Sequence, residues 1–470
     1  MLFNSFEFLW LFPLLFVLCQ ITQRTKWSNG CLLLISYGLY LKWKPVYALV
    51  LLWVTAVTFL VALFISKQSE RKNSKKIFVL GVILTLAPLV IFKYFDFFNT
   101  QLLFFLESMG ITTGLPGLNW VLPLGISFYT FQAIGYLFDV YHQRIEAEKN
   151  WWNYMLFVSF FPQIASGPIS RAKDLLPQIK AERKFNYSQA VQGLKWLLWG
   201  MFMKVVMADR VGIYVDSIFN NYEYQSGLSC WIGSILYTFQ IYGDFAGYSF
   251  MAVGVGQLLG FELINNFQRP YFSQSVTEFW HRWHISLSTW LRDYVYIPLG
   301  GSRCSRIRNY WNIFLTFLVS GVWHGANWTF IVWGMIHGLF QIAEKMLGLN
   351  KFQSNGLRKV VRVMVTFFIV NLAWIFFRMP TVGQAFEVIK LMLFNHQTTL
   401  ATITPSMSLF IIVSVIIVML KDLVDEFLPQ RYSLFHNQYT IVRWTVYVVL
   451  MCMVLTCGVF DNSQFIYVSF

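Results

Sequence analysis

Val46-Tyr47-Ala48-Leu49-Val50-Leu51-Leu52-Trp53-Val54-Thr55-Ala56-Val57-Thr58-Phe59-Leu60-Val61-Ala62-Leu63-Phe64-Ile65 runs for twenty residues without a charge. A helix of that length rises about 30 Å, the thickness of a bilayer's hydrocarbon core. The stretch therefore reads as a membrane-crossing helix, and it sets the solvent for everything around it. Apolar runs recur at 6–20, 77–94, 121–141, 190–207, 231–248, 313–323, 328–343, 361–377, 409–420 and 441–459. Shorter ones lie at 31–40 and 152–164. Short or broken helices persist in lipid only among other helices or beside a wet cavity, because every backbone group must be paired. The expectation is an all-α, polytopic membrane protein of about 11–13 membrane helices, some broken or re-entrant. It reads as a single membrane-embedded domain over residues 1–470, with the lipid bilayer as its first partner. The run at 6–20 has no basic segment before it and no small-residue cleavage site; Glu7 precedes most of it, and Arg24 and Lys26 follow. That pattern predicts a retained first helix, outer end first, and not a cleaved signal.

Composition agrees. Hydrophobic residues make up 57% and charged residues 12%, against about 45–50% and about 25% in soluble domains. The formal charge of +14 does not point to nucleic acid. Basic residues cluster in short blocks at 67–76, 171–184, 303–308 and 351–362, between apolar runs. That is the pattern of cytoplasmic loops in an inner-membrane protein, and the blocks lack the interleaved aromatics of a nucleic-acid groove. Six cysteines are scattered without a CxxC pair, so neither a disulfide framework nor a zinc site is expected.

Two features depart from a plain bundle. Pro and Gly interrupt apolar sequence at Leu122-Pro123-Leu124-Gly125, Phe161-Pro162-Gln163 and Ser166-Gly167-Pro168-Ile169, which predicts broken or re-entrant helices. Residues 265–312 are too polar for a lipid-facing span and too aromatic for a free loop. They read as helices at the interface or dipping into an internal funnel.

Four of the seven histidines lie between positions 281 and 337. His324, in Trp323-His324-Gly325-Ala326-Asn327-Trp328, is the only ionisable residue from 313 to 336. Ionisable groups inside a membrane are costly and usually functional; the competing account is a neutral imidazole bonded to a helix carbonyl. Gly321 and Gly325 would leave room for a substrate beside it. On one helix His281 and His284 would share a face, as a metal pair or as a base with a helper. No HExxH or other ligand spacing supports metal, and His281 reads as an interface residue bonded to a headgroup or to Glu278. His337 lies thirteen residues beyond His324; on one continuous helix the two would stand about 220° apart, which favours structural duty for His337. Asp244, near an expected helix break, could orient a histidine, hold a proton or pair with a cation. Arg292 and Asp293 read as an interface ion pair. Gly254, Gly256 and Gly260 fit close helix packing. No GxSxG elbow or phosphate loop is present.

These motifs resemble the membrane-bound O-acyltransferases. The likeness rests on Asn266-Phe267-Gln268-Arg269-Pro270-Tyr271, on 278–288 (EFWHRWHISLS), on Trp290-Leu291-Arg292-Asp293-Tyr294 and on 323–328 (WHGANW). Further support comes from 122–132, 160–163, 167–169 and 244–249. The nearest branch is that of bacterial alginate and peptidoglycan O-acetyltransferases. The resemblance implies tilted helices around a central tunnel, with His324 as the catalytic histidine and His284 at the second polar position. It sets Trp323, Asn327, Asp244, Trp283, Arg292 and Asp293 beside them as tunnel or supporting residues. One departure is Phe250, where many relatives carry Asp, which removes a carboxylate role there.

The resemblance implies this chemistry. Acetyl-CoA or another acyl thioester enters from the cytoplasmic side as donor substrate, with no bound cofactor or metal. A neutral His324 takes the proton of the attacking hydroxyl, and His284 orients the acyl group or donates to the oxyanion. The acetyl group then passes outward, through a partner acetyltransferase, to an extracytoplasmic polysaccharide such as alginate, peptidoglycan or another surface glycan. Rival readings are D-alanyl transfer to teichoic acid from a carrier protein and, in another class, a proton-coupled transporter. The expected location is the bacterial cytoplasmic (inner) membrane.

Overall fold

A computed structural model describes residues 3–21, 25–68, 70–111, 114, 116–164, 166–351 and 354–460. Among the described residues the regular structure is entirely helical. Helices α1 (Phe6–Ile21), α2 (Thr25–Trp43) and α3 (Pro45–Lys67) open the chain. A long rod follows, in which α4 (Arg71–Leu89) and α5 (Phe95–Ser108) join through a π-helical turn at Val90–Tyr94. Next come α6 (Ile126–Tyr141), α7 (Trp151–Ser159), α8 (Phe161–Ile164) and α9 (Ala172–Lys180). A second rod joins α10 (Tyr187–Met201) to α11 (Asp209–Phe219) through another π turn, Phe202–Ala208, and packs along α12 (Gly227–Leu258). The short helices α13 (Val276–Arg282) and α14 (Ile285–Leu291) precede α15 (Arg306–His324) and α16 (Trp328–Met346). The chain closes with α17 (Leu357–Arg378), α18 (Val382–Phe394), α19 (Pro405–Phe427) and α20 (Thr440–Cys457).

Five helical stretches among the described residues are long and apolar enough to cross a membrane: Pro45–Lys67, Arg71–Ser108, Leu357–Arg378, Pro405–Phe427 and Thr440–Cys457. They turn large apolar side chains outward, among them Leu49, Ile83, Phe104, Leu409 and Trp444, as a lipid-facing surface requires. Several other expected spans are shorter or carry more polar side chains. The helix over 126–141 starts five residues inside its apolar run, and α12 buries Ser234, Thr238, Gln240, Asp244 and Ser249. Conversely, the run expected at 31–40 is part of a 19-residue helix, and the one expected to end at Tyr94 continues to Ser108.

The Pro/Gly interruptions are helix breaks. Gly125 adopts φ 68 directly before α6, and a Cβ there would meet the Ile164 carbonyl oxygen at 1.7 Å. Only glycine serves a left-handed turn under that approach. The break after Ser159 separates α7 from α8, and the Phe161 N–H then donates to Ser36 Oγ (3.2 Å). Close packing of α10 on α12 runs through reciprocal glycines. A Cβ on Gly254 would meet the Gly193 carbonyl at 2.6 Å, and one on Gly200 would meet that of Gly247 at 2.5 Å. Gly254 thus has the packing role expected of it, whereas Gly260 ends α12 with φ 82. Asp244 sits in mid-helix, since α12 runs unbroken for 32 residues; the break expected beside it is absent. Phe250 is buried and stacks on Trp196 (4.9 Å), an apolar setting unsuited to a carboxylate.

Candidate active site

Within the stretch 265–312, residues 266–294 fold inward around the short helices α13 and α14, whereas 306–312 begin the long helix α15. The Gln268 N–H donates to the Arg282 carbonyl (2.9 Å) and the Ile285 N–H to that of Asn266 (3.0 Å). Asn266 Oδ1 accepts from Ser286 N–H (3.0 Å), and Ser286 Oγ from Ile169 N–H (3.0 Å), which brings in the Gly167-Pro168-Ile169 motif. Arg269 and Arg282 both reach Glu426 of α19, at 2.7 and 2.9 Å, and Arg282 also pairs with Glu278. This frame holds His284 at φ 45, ψ 53 between α13 and α14. The helix is therefore broken between His281 and His284. The two do not share a face: His281 is exposed and His284 is fully buried. Glu278, the partner expected for His281, is taken by Arg282.

The His284 imidazole meets the edge of Phe245 (ring centroids 4.6 Å) and the rings of Trp323 (5.8 Å) and Phe128 (6.2 Å). Neither ring nitrogen has a hydrogen-bond partner among the described residues. Such a group costs about 1–3 kcal/mol to bury, a penalty expected where a ligand supplies the missing bonds. His324 ends α15, also buried, with Trp323 (4.9 Å), Trp333 (4.9 Å) and Phe377 (5.3 Å) around it. The Trp323 indole contacts both imidazoles and also packs on Phe128 and Phe131. Trp283 joins this wall through Trp374 (5.1 Å), which stacks on Trp333 (5.7 Å).

His284, His324, Trp323 and Trp283 thus come together. The other expected supporting residues do not reach the pair. Asn327 caps α16, accepting from Thr329 N–H (3.0 Å) and donating to the Pro380 carbonyl (2.8 Å). Asp244 lies with Asp209 on Lys204, each at 2.6 Å, in a fully buried triad; it is the next residue, Phe245, that touches His284. Asp293 bridges Arg171 (2.9 Å) and Arg292 (2.7 Å), which is the ion-pair reading. His337 accepts from Trp280 Nε1 at 3.2 Å and packs on Trp333, in keeping with structural duty, although α15 and α16 are separate helices and the single-helix angle does not apply.

The room expected beside the imidazole at Gly321 and Gly325 is occupied by protein. A Cβ on Gly321 would meet the Phe330 carbonyl at 2.4 Å, and one on Gly325 the Phe330 ring at 2.2 Å. These glycines let α16 close on α15. Open space lies on another side: a cavity of about 280 Å³ lined by Thr277, Trp280, His281, Arg292, Ser320 and Lys345, among others. Ser320 is one turn before His324, and Trp280 packs on Trp333 (5.5 Å). Sequence reasoning missed Phe128, Phe245, Trp333, Trp374 and Lys93. Lys93 had a signal, as the sole cation from 77 to 107.

The model of the membrane-bound O-acyltransferase family matches residues 35–380. A probable alginate O-acetylase of Pseudomonas aeruginosa is 38% identical over 393 residues, 83% of this chain and 75% of that protein. The peptidoglycan O-acetyltransferase of Helicobacter pylori is 34% identical over 429 residues, 84% and 79% of the two chains. A teichoic acid D-alanyltransferase of Streptococcus thermophilus is 28% identical over 338 residues, 66% and 77%. A multi-pass helical chain with this likeness over most of its length belongs to the membrane-bound O-acyltransferase family, and it is an acyltransferase.

Proposed function

We propose that this enzyme takes an acetyl group from acetyl-CoA at the cytoplasmic side of the inner membrane and passes it outward for O-acetylation of an extracytoplasmic polysaccharide. The observation that carries the reading is the pair of buried imidazoles that both contact the Trp323 ring. The names of the relatives at 38% and 34% identity support acetyl over D-alanyl. The acceptor class, alginate-like, peptidoglycan or another surface glycan, comes from the same two relatives, and an extracytoplasmic acetyltransferase is the partner proposed to complete the transfer.

His324 is the general base. It takes the hydroxyl proton as the oxygen attacks the thioester carbonyl carbon; the C–S bond then breaks, and the departing thiolate takes the proton from the imidazolium. His284 donates to the oxyanion that forms between these events. The donor arm fits the cavity lined by Arg292, His281 and Lys345. Cations suit a phosphate-bearing thioester, and Lys345 Nζ donates to Asn309, beside the basic block at 303–308 that marks the cytoplasmic side.

The test is transfer of labelled acetyl from acetyl-CoA in membranes holding the protein and its partner. His324→Ala and His284→Ala are compared with wild type at matched expression. Losing a general base costs about 10²–10⁴-fold, and losing an oxyanion donor about 10²–10³-fold. Full activity in His324→Ala overturns the mechanism. Wild-type transfer from D-alanyl carrier protein and none from acetyl-CoA moves the assignment to the D-alanyl reading.

A further inference from the structure

Lys93 lies inside an apolar helix, and the mechanism above does not use it. Pro88, without an N–H, interrupts the hydrogen-bond ladder shortly before the π turn at Val90–Tyr94. Such turns often mark functional positions. Here the turn delivers two adjacent side chains to one target, the last turn of α15. Lys93 Nζ donates to the Trp323 carbonyl at 2.6 Å, and the Tyr94 hydroxyl donates to the Val322 carbonyl, also at 2.6 Å. Lys93 also donates to Ser127 Oγ at the start of α6 (3.3 Å) and lies 5.8 Å from the centre of the Trp323 indole.

The last carbonyls of a helix have no donors of their own, and a cation is favoured at that negative end. In α15 those carbonyls belong to the residues immediately before His324. Donors for them could have come from anywhere, but they come from a half-buried ammonium and a phenol on a rod 230 residues away in sequence. An ionisable side chain at such depth is expensive and points to function.

We propose that Lys93, assisted by Tyr94, is a positioning residue for acyl transfer, clamping the end of α15 so that the His324 imidazole and the Trp323 indole face the acceptor hydroxyl. The proposal rests on the assignment of His324 as base. A base that is slightly mis-aimed still reaches water, which is small and mobile, but it no longer meets an acceptor hydroxyl held in one place. Loss of the clamp therefore diverts acetyl from ester to free acetate.

The experiment measures both products from labelled acetyl-CoA in membranes with the partner and acceptor present. It uses wild type, Lys93→Met, Lys93→Arg, Tyr94→Phe and His324→Ala. The share of acetyl released as acetate is independent of how much protein is folded. The expected result is a five-fold or larger rise in that share for Lys93→Met, return to within two-fold of wild type for Lys93→Arg, and a smaller rise for Tyr94→Phe. The KM for acetyl-CoA stays within two-fold of wild type in all three. If Lys93→Met does not fold, Tyr94→Phe, which removes one hydroxyl, carries the test through its smaller rise. An unchanged share in Lys93→Met and Tyr94→Phe, with both products falling in step or not at all, overturns the proposal. So does Lys93→Arg behaving like Lys93→Met. If wild type is active and His324→Ala is not, that failure touches the clamp alone. Wild-type activity retained in His324→Ala, or absent in wild type, overturns the functional reading and the clamp with it.

Discussion

His284 combines two unfavourable conditions. Its backbone is left-handed, at φ 45 and ψ 53, which costs a side chain with a Cβ about 1–2 kcal/mol. Its imidazole is also fully buried without hydrogen-bond partners among the described residues. Strain of this kind persists where surrounding structure over-determines it, and it clusters at active sites. Asn is among the residues that best tolerate this conformation, and it keeps an N–H donor. His284→Asn is therefore expected to retain at least ten-fold more acetyl transfer than His284→Ala, compared at matched expression in the membrane assay. Equal loss in both would show that the imidazole, and not a donor at this backbone position, is what the reaction uses. The residue was legible from its motif and its place in a histidine-rich stretch. Its left-handed backbone was not, because the pairing of Asn266–Gln268 with Arg282–Ser286 that imposes it is set by tertiary contacts.

At the scale of elements, α15 and α16 meet so closely that glycine is required on both. A Cβ on Gly321 would meet the Phe330 carbonyl at 2.4 Å, and one on Gly334 the Phe317 carbonyl at 2.4 Å. Backbone atoms cannot step aside as a flexible side chain can. Gly321→Ala is expected to destabilise the pair by about 1–3 kcal/mol, the usual cost of overpacking. It should also lower acetyl transfer, because His324 lies three residues on. Gly383→Ala is the control: its Cβ would find nothing nearer than Thr381 Oγ1 at 4.0 Å, so melting temperature in detergent and activity should match wild type. If Gly321→Ala melts and acts like that control, the close approach is not what holds the histidine. The sequence marked Gly321, with Gly325, as meaningful for the wrong reason. Missing side chains signal close approach equally well whether the visitor is a substrate or a neighbouring helix.

At the scale of the whole molecule, lipid-facing helices with outward Leu, Ile, Phe and Trp enclose segments whose polar groups are satisfied inside. Examples are the Lys204–Asp209–Asp244 triad and Asn371, which donates to the Ser234 carbonyl and to Thr238 Oγ1. This arrangement lets short, broken helices reach the centre, where lipid alone would not tolerate them. It also leaves a cavity with a cationic rim, lined by Ile285 next to His284 and by Ser320 one turn before His324. If that cavity takes the phosphate-bearing arm of the donor, Lys345→Gln should raise the KM for acetyl-CoA about five-fold, as a partly exposed charge worth about 1 kcal/mol would. The maximal rate should change little, and added salt should narrow the difference between variant and wild type. A Lys345→Gln enzyme with unaltered KM at low salt would place the donor elsewhere.

Residue order by itself determined the solvent, the all-helical class, the breaks at the Pro/Gly motifs and the family, and it marked the histidine-rich stretch. Each of those rests on local signals: uncharged runs of spanning length, residues that cannot continue a helix, and linear motifs. Only the tertiary structure decided which polar residues meet. Asp244 pairs with Lys204, Asn327 caps its own helix, and Lys93 crosses 230 residues to the carbonyl of Trp323. Such pairings depend on how helices rotate and shift when they pack, and a π turn that re-aims a side chain leaves no periodic trace in the sequence.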